Sequence, residues 1–159
     1  MQTKGIYPDF DGKAIPTPFK DNLLTAKASA DINAKQFLQV RYGMQRNSDK
    51  YGASPVILPS ALGTITNKYH SFLVGHTWQV SADKLNEFIF QDTHFKNGID
   101  PDSNDPTIVY LSGVSIGQSI NTPQHTVQVK RQFKDDFAWS QTFANMRHDF
   151  KVGANYIDE

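Results

Sequence analysis

Three times along the chain a run of alternating apolar and polar residues meets a short polar turn and reverses direction. The turns fall at Asn33-Ala34-Lys35, at Ser81-Ala82-Asp83-Lys84 and at Ala144-Asn145-Met146-Arg147, whereas the connections between the pairs are long, covering 47–66 and 96–125. Side chains of a strand alternate across its two faces, so each run describes a strand with one apolar and one wet face. Short turns at one end of a sheet and long loops at the other are the asymmetry of an outer-membrane β-barrel. A soluble meander has no reason to collect its long loops on one side. The expectation is an all-β chain of antiparallel hairpins, an incomplete and unclosed part of a large transmembrane outer-membrane β-barrel.

The pattern is sharpest from Leu24, where Leu24, Ala26, Ala28, Ala30 and Ile32 alternate with Thr25, Lys27, Ser29, Asp31 and Asn33. It continues through Leu38, Val40, Tyr42 and Met44, then Phe72, Val74, Trp78 and Val80, with His76 interrupting. Phe88 and Phe90 follow on the return, with Ile89 on the polar side. The third pair sets Val127, Val129, Phe133, Phe137, Trp139 and Phe143 on one face, broken by Arg131 and Asp135, and returns through Phe150, Val152, Ala154 and Tyr156. Strands are expected near 23–33, 36–46, 68–80, 85–95, 126–143 and 148–157, with one partial barrel domain over 1–159. Residues 1–20, with Pro8, Pro16 and Pro18, read as irregular loop, and 47–66 and 96–125 as the extracellular loops, the latter holding an extended piece near Ile108–Ile116. Each strand reaches the roughly 9–11 residues a tilted spanning strand needs. Six strands fall short of the roughly 8 that close the smallest transmembrane barrel. Since lipid does not tolerate open edges, either the chain is a piece of something larger or the membrane reading fails. As a barrel piece the isolated chain exposes apolar strand faces and unpaired edges and is expected to aggregate without detergent.

Charge and composition narrow the functional classes. Sixteen basic and sixteen acidic residues give a formal net charge of zero, so no basic field draws nucleic acid. Cysteine is absent, which removes disulfides and thiolate metal sites and suits passage through an oxidising periplasm. No window is apolar enough for a membrane-spanning helix, a test that barrel strands evade. The stretch from Met1 to Pro8 has no apolar core of a secretory signal, so the expectation is a fragment whose signal lies upstream.

No residue set points to catalysis, a cofactor or a metal, and the ligand-contacting residues are unknown at this level. His70 and His76 share a strand face, but their spacing matches no compact ligand motif. Asp100, Asp102 and Asp105 lack the glycine and closing glutamate of a calcium loop and read as turn chemistry. Asp135 and Asp136 are adjacent, so they point to opposite faces and cannot cooperate. Lys27, Arg41, Lys130, Lys134 and Lys151 occupy polar-face positions, lumen-lining in a barrel and simply solvated in a soluble sheet. Tyr42, Trp78, Trp139 and Phe143 are candidates for interfacial aromatic girdles.

Several stretches, in order, resemble the barrel of TonB-dependent outer-membrane receptors of the Oar-like group. They are Pro18-Phe19-Lys20-Asp21-Asn22-Leu23-Leu24, Val40-Arg41-Tyr42-Gly43, Tyr51-Gly52-Ala53-Ser54-Pro55 and Leu85-Asn86-Glu87-Phe88-Ile89-Phe90-Gln91. Asn121-Thr122-Pro123-Gln124, Phe133-Lys134-Asp135-Asp136-Phe137-Ala138-Trp139 and His148-Asp149-Phe150-Lys151-Val152-Gly153-Ala154-Asn155 complete the set. The resemblance implies a large barrel in the bacterial outer membrane, closed by a plug and driven through the TonB complex. Its partners would be outer-membrane lipid, the plug and remaining barrel, the TonB complex through parts outside this chain, and an unknown solute. The rival expectation is a soluble all-β binding module such as a carbohydrate-binding sandwich, which should carry a second buried face and balanced loops.

Overall fold

A computed structural model describes residues 4–8 and 14–159. It is all-β, built on an unclosed antiparallel sheet of six strands. The strands are β1 (Lys4–Pro8), β2 (Ala14–Pro18), β3 (Lys20–Asn33), β4 (Gln36–Tyr51), β5 (Gly63–Ser81), β6 (Lys84–Pro101), β7 (Ile108–Val109), β8 (Ser115–Ile116), β9 (Gln124–Phe143) and β10 (Met146–Asp158). The large sheet runs β10-β9-β6-β5-β4-β3, a meander that leaves β3 and β10 with one neighbour each. Pairs β1-β2 and β7-β8 form two small separate sheets.

Three expectations require correction. The region 1–20 is not all irregular: β1 and β2 pair antiparallel from Lys4↔Pro18 to Pro8↔Ala14. In a two-stranded ribbon half of the backbone groups face outward, so prolines there sacrifice no ladder bond. Positions 1–3 and 9–13 of that expected loop lie outside the described residues. The long loops are also shorter than 47–66 and 96–125, because β4 continues to Tyr51, β5 starts at Gly63, β6 reaches Pro101 and β9 starts at Gln124. Polar residues interrupt the apolar alternation in these extensions while the backbone ladder continues. Asn97 Nδ2 donates to Asn67 Oδ1 at 2.7 Å and Asn67 Nδ2 to Asn47 Oδ1 at 2.9 Å, an amide chain across three strands. Finally, the extended piece near Ile108–Ile116 is a tight hairpin: β7 and β8 hold two residues each, Gly113 N–H donates to Tyr110 O, and Gly113 has φ +85°.

The chain divides into two compact units. The turn unit comprises Leu24–Met44, His70–His94 and Gln128–Glu159. Its turns differ in chemistry. Asn33 Oδ1 accepts the Lys35 N–H at 2.9 Å in the first, and the Ser81 hydroxyl donates to Asp83 Oδ1 in the second. In the third, Ala144 and Asn145 have φ of 49° and 58°, the two positive values of a type I′ turn matched to strand twist. The β9–β10 register sets Trp139 opposite Phe150, Phe137 opposite Val152 and Phe133 opposite Tyr156 on one face. The Trp139 and Phe150 rings stack with centroids 5.2 Å apart, and Phe90 meets Phe133 at 4.9 Å. Yet no apolar side chain in this unit is buried, and Phe143, Met146 and Tyr156 are 74%, 60% and 63% exposed.

The loop unit comprises residues up to Leu23, Gln45–Tyr69 and Phe95–Val127. Here the two long connections bond to each other: Leu58 N–H donates to Ser115 O at 3.0 Å, and Ser115 N–H to Val56 O at 3.0 Å. Gly117 N–H donates to Ser60 Oγ at 3.3 Å. This stitching encloses a small core of Ala61, Leu62 and Ile99, with buried Ser115 and Ser119.

Candidate functional site: the polar face of the turn unit

The densest group of charged side chains on the polar face centres on Asp136. Lys134 and Asp136 stand two residues apart on β9 and so project from one face. Lys134 Nζ lies 2.9 Å from Asp136 Oδ2, Lys151 Nζ lies 3.1 Å from the same oxygen, and Glu87 Oε2 is 3.8 Å from Lys151 Nζ. The register places Gly153 directly opposite Asp136. A methyl group at Gly153 would overlap Asp136 Oδ1, so the missing side chain is what lets the carboxylate lie across β10 towards Lys151. Asp136 is accordingly the most covered member, its side chain 13% exposed.

These groups border a cavity of about 340 Å³, also lined by Gln39, Thr77, Phe37, Leu73 and Ile89. Ammonium, carboxylate, amide and hydroxyl groups thus surround a partly apolar floor. Such a surface can pair charges and exchange hydrogen bonds with a polar solute. Its ions already compensate one another, so none is left as a strong isolated charge. Asp135 takes no part: its Oδ1 accepts from Asn86 Nδ2 at 2.8 Å, as expected of an adjacent residue on the opposite face.

Of the five expected polar-face cations, the structure brings Lys134 and Lys151 together and sends Lys130 to Glu159 at 2.8 Å. Lys27 and Arg41 form no ion pair among the described residues. His70 and His76 are not brought together. His70 stacks on His94 with centroids 4.7 Å apart, while His76 Nε2 sits 3.3 Å from Gln36 Oε1. Among the described residues no three His, Cys, Asp or Glu side chains are placed to hold a metal. The three loop aspartates have separate partners: Asp100 faces His125 at 3.5 Å, Asp102 accepts from Thr64 and pairs with Lys50, and Asp105 accepts from Ser103.

One polar group escaped the sequence reading. Asp92 binds His94 Nε2 at 2.7 Å and Arg131 Nε at 3.0 Å. Asp92 and Arg131 both interrupt otherwise apolar alternation, and opposite charges breaking neighbouring apolar runs were the available signal. No protein-family model, no curated protein and no solved structure matches this chain.

Proposed function

We propose that the chain is a barrel segment of a TonB-dependent outer-membrane transporter of the Oar-like kind, supplying wall, lumen face and extracellular loops for uptake of a solute. The observation that carries this reading is the turn unit's sheet: large apolar side chains lie exposed along one face, interrupted by Asp92, Arg131 and Asp135, the ion pairs of Asp136 lie on the other, and no apolar side chain of the unit is buried. A sheet with that division needs an apolar phase on one side, and a bilayer provides it. The open edges at β3 and β10 call for further strands, which the parent barrel would supply. Strands of 13–20 residues in the large sheet exceed the roughly 9–11 that span a bilayer, leaving length to rise outside it. The ordered resemblance to the Oar-like barrel adds the family. In this reading the Asp136 group lines the lumen, the plug and TonB complex act from outside this segment, and the chain makes and breaks no bond. The soluble sandwich lacks support, since among the described residues the other sheets have only two strands each.

Trp78 and Trp139, the two tryptophans, both fall on the apolar face and make the test direct. With the chain in bilayers containing brominated acyl chains, their fluorescence should be strongly quenched. Emission indifferent to bromine, with unchanged emission in plain buffer, would refute lipid exposure.

A further inference from the structure

At the β7–β8 hairpin of the loop unit Ile108, Val109, Tyr110 and Leu111 follow one another, and all four are exposed, Leu111 completely. Consecutive exposed apolar residues of this kind are a liability unless something covers them. The other strand of the hairpin is firmly held. Ser115 N–H donates to Val56 O and Ser115 O accepts from Leu58 N–H, both at 3.0 Å, so β8 is also bonded on the side away from β7. Ser115 is buried, while Val109 opposite it is 57% exposed.

Register shows what the hairpin leaves open. Ile108 pairs with Ile116 and Val109 with Ser115, and Tyr110 N–H donates to Val114 O at 2.9 Å. In an antiparallel ladder, opposed pairs alternate between exchanging hydrogen bonds and turning their backbone groups away from each other. Tyr110 and Val114 are a pair of the first kind, so Val109 and Ser115 are one of the second. Ser115 turns its groups to Val56 and Leu58, whereas Val109 turns its N–H and C=O outward, where no described residue bonds them. The outer edge of β7 is thus free extended backbone with apolar side chains on both faces. Natural edges are guarded by charge or proline. Here residues 106–124 contain no charged side chain, in a chain that is 20% charged, and residues 107–122 no proline.

We infer that the outer edge of β7 captures an extended, uncharged peptide segment by strand addition. Val109 supplies the main-chain hydrogen bonds, and Ile108, Tyr110 and Leu111 supply the apolar contacts. Free donors and acceptors at strand spacing select an extended backbone, and the apolar flanks without charge select neutral side chains. A second copy of the chain fits less well, because so short a strand buries far less than the roughly 1,200 Å² of a stable interface between folded proteins. The inference stands on the loop unit alone and goes beyond the barrel reading.

The test uses fluorescence anisotropy on the full chain, in detergent or plain buffer, whichever keeps it monodisperse. Its probes are a short, capped, labelled peptide of alternating valine and threonine, the same peptide N-methylated on both edges, and a version alternating lysine and glutamate. The first should bind, the N-methylated one about tenfold more weakly for want of main-chain hydrogen bonds, and the charged one weakest. Val109→Pro, which removes the outward N–H, should weaken binding of the first probe about tenfold. Leu111→Lys, which keeps the backbone and adds a charge to the edge, should weaken it several-fold. Amide-exchange protection at Ser115 and Gly117 reports whether the hairpin stays seated, and where Val109→Pro loses it, Leu111→Lys decides. Equal binding of the N-methylated or the charged probe would overturn the inference, as would wild-type affinity in Leu111→Lys or no capture at all. Concentration-dependent dimerisation abolished by Leu111→Lys, with no peptide bound, would give the edge to a second copy and overturn it too.

Discussion

The loop unit and the turn unit meet the demand for burial in opposite ways. The loop unit folds two long connections against each other and closes Ala61, Leu62 and Ile99 into a small core of its own. The turn unit has more large apolar side chains in regular strands, among them Phe133, Trp139 and Phe150, and buries none. Regular strands satisfy the backbone but leave their side chains on two open faces, whereas irregular loops must recruit each other to pair theirs. The lesson is that apolar content alone does not say where a core lies. One unit supplies its own apolar environment, and the other, on our reading, borrows it from lipid.

The comparison breaks most readily on the apolar face of the turn unit. Phe137→Arg should lower stability in the membrane by about 2–4 kcal/mol, the cost of a cation at mid-bilayer on a lipid-facing strand. A shifted urea midpoint for the membrane-embedded protein would report it. A soluble sheet would instead tolerate or welcome the charge. In the loop unit the matching change is Leu62→Ala, where a fully buried side chain leaves a cavity costing about 2 kcal/mol. Amide exchange should quicken at Leu58, Ser115 and Gly117 and stay unchanged in the turn-unit strands. Equal acceleration in both units would mean that the two are not energetically distinct.

A smaller effect, of opposite sign, belongs to the third turn. Ala144 occupies the left-handed region at φ 49°, which disfavours a side chain with a Cβ. Ala144→Gly should stabilise the β9–β10 hairpin by about 1 kcal/mol, read as slower amide exchange at Phe143 and Met146. The smallest effect concerns Asp83, held below the ordinary carboxylate value first by the Ser81 hydroxyl and then by its own backbone N–H. A carboxylate with a depressed folded value stabilises the turn above its unfolded value, and that support fades as pH falls through the folded one. Carbon-13 titration of Asp83 should therefore move upward in Ser81→Ala. An unmoved titration would remove Ser81 as the cause.

How much of this was legible depended on whether a residue's role was local. The six strands and three turns could be read because alternation is a two-residue signal, as in Leu24–Ile32 and Phe133–Phe143. Alternation is silent where β4, β5 and β6 continue into polar territory, so Asn47 and Asn97 fall in the expected loops although, with Asn67, they bridge three strands. The stitching of Leu58 to Ser115 joins residues far apart in the chain and leaves no local trace. The polar-face lysines were identifiable as a set, but their grouping around Asp136 depended on Gly153 standing opposite it, a matter of register.

The central claim, that one face of the turn unit meets lipid and the other water, is best tested along β9. The chain has no cysteine, so single substitutions can be labelled against a clean background. In native membranes, cysteines at 134, 136 and 140 should react with a water-soluble maleimide, while those at 133, 137, 139 and 143 should react only with a lipid-soluble one. Equal labelling of both sets by the water-soluble reagent would contradict the account.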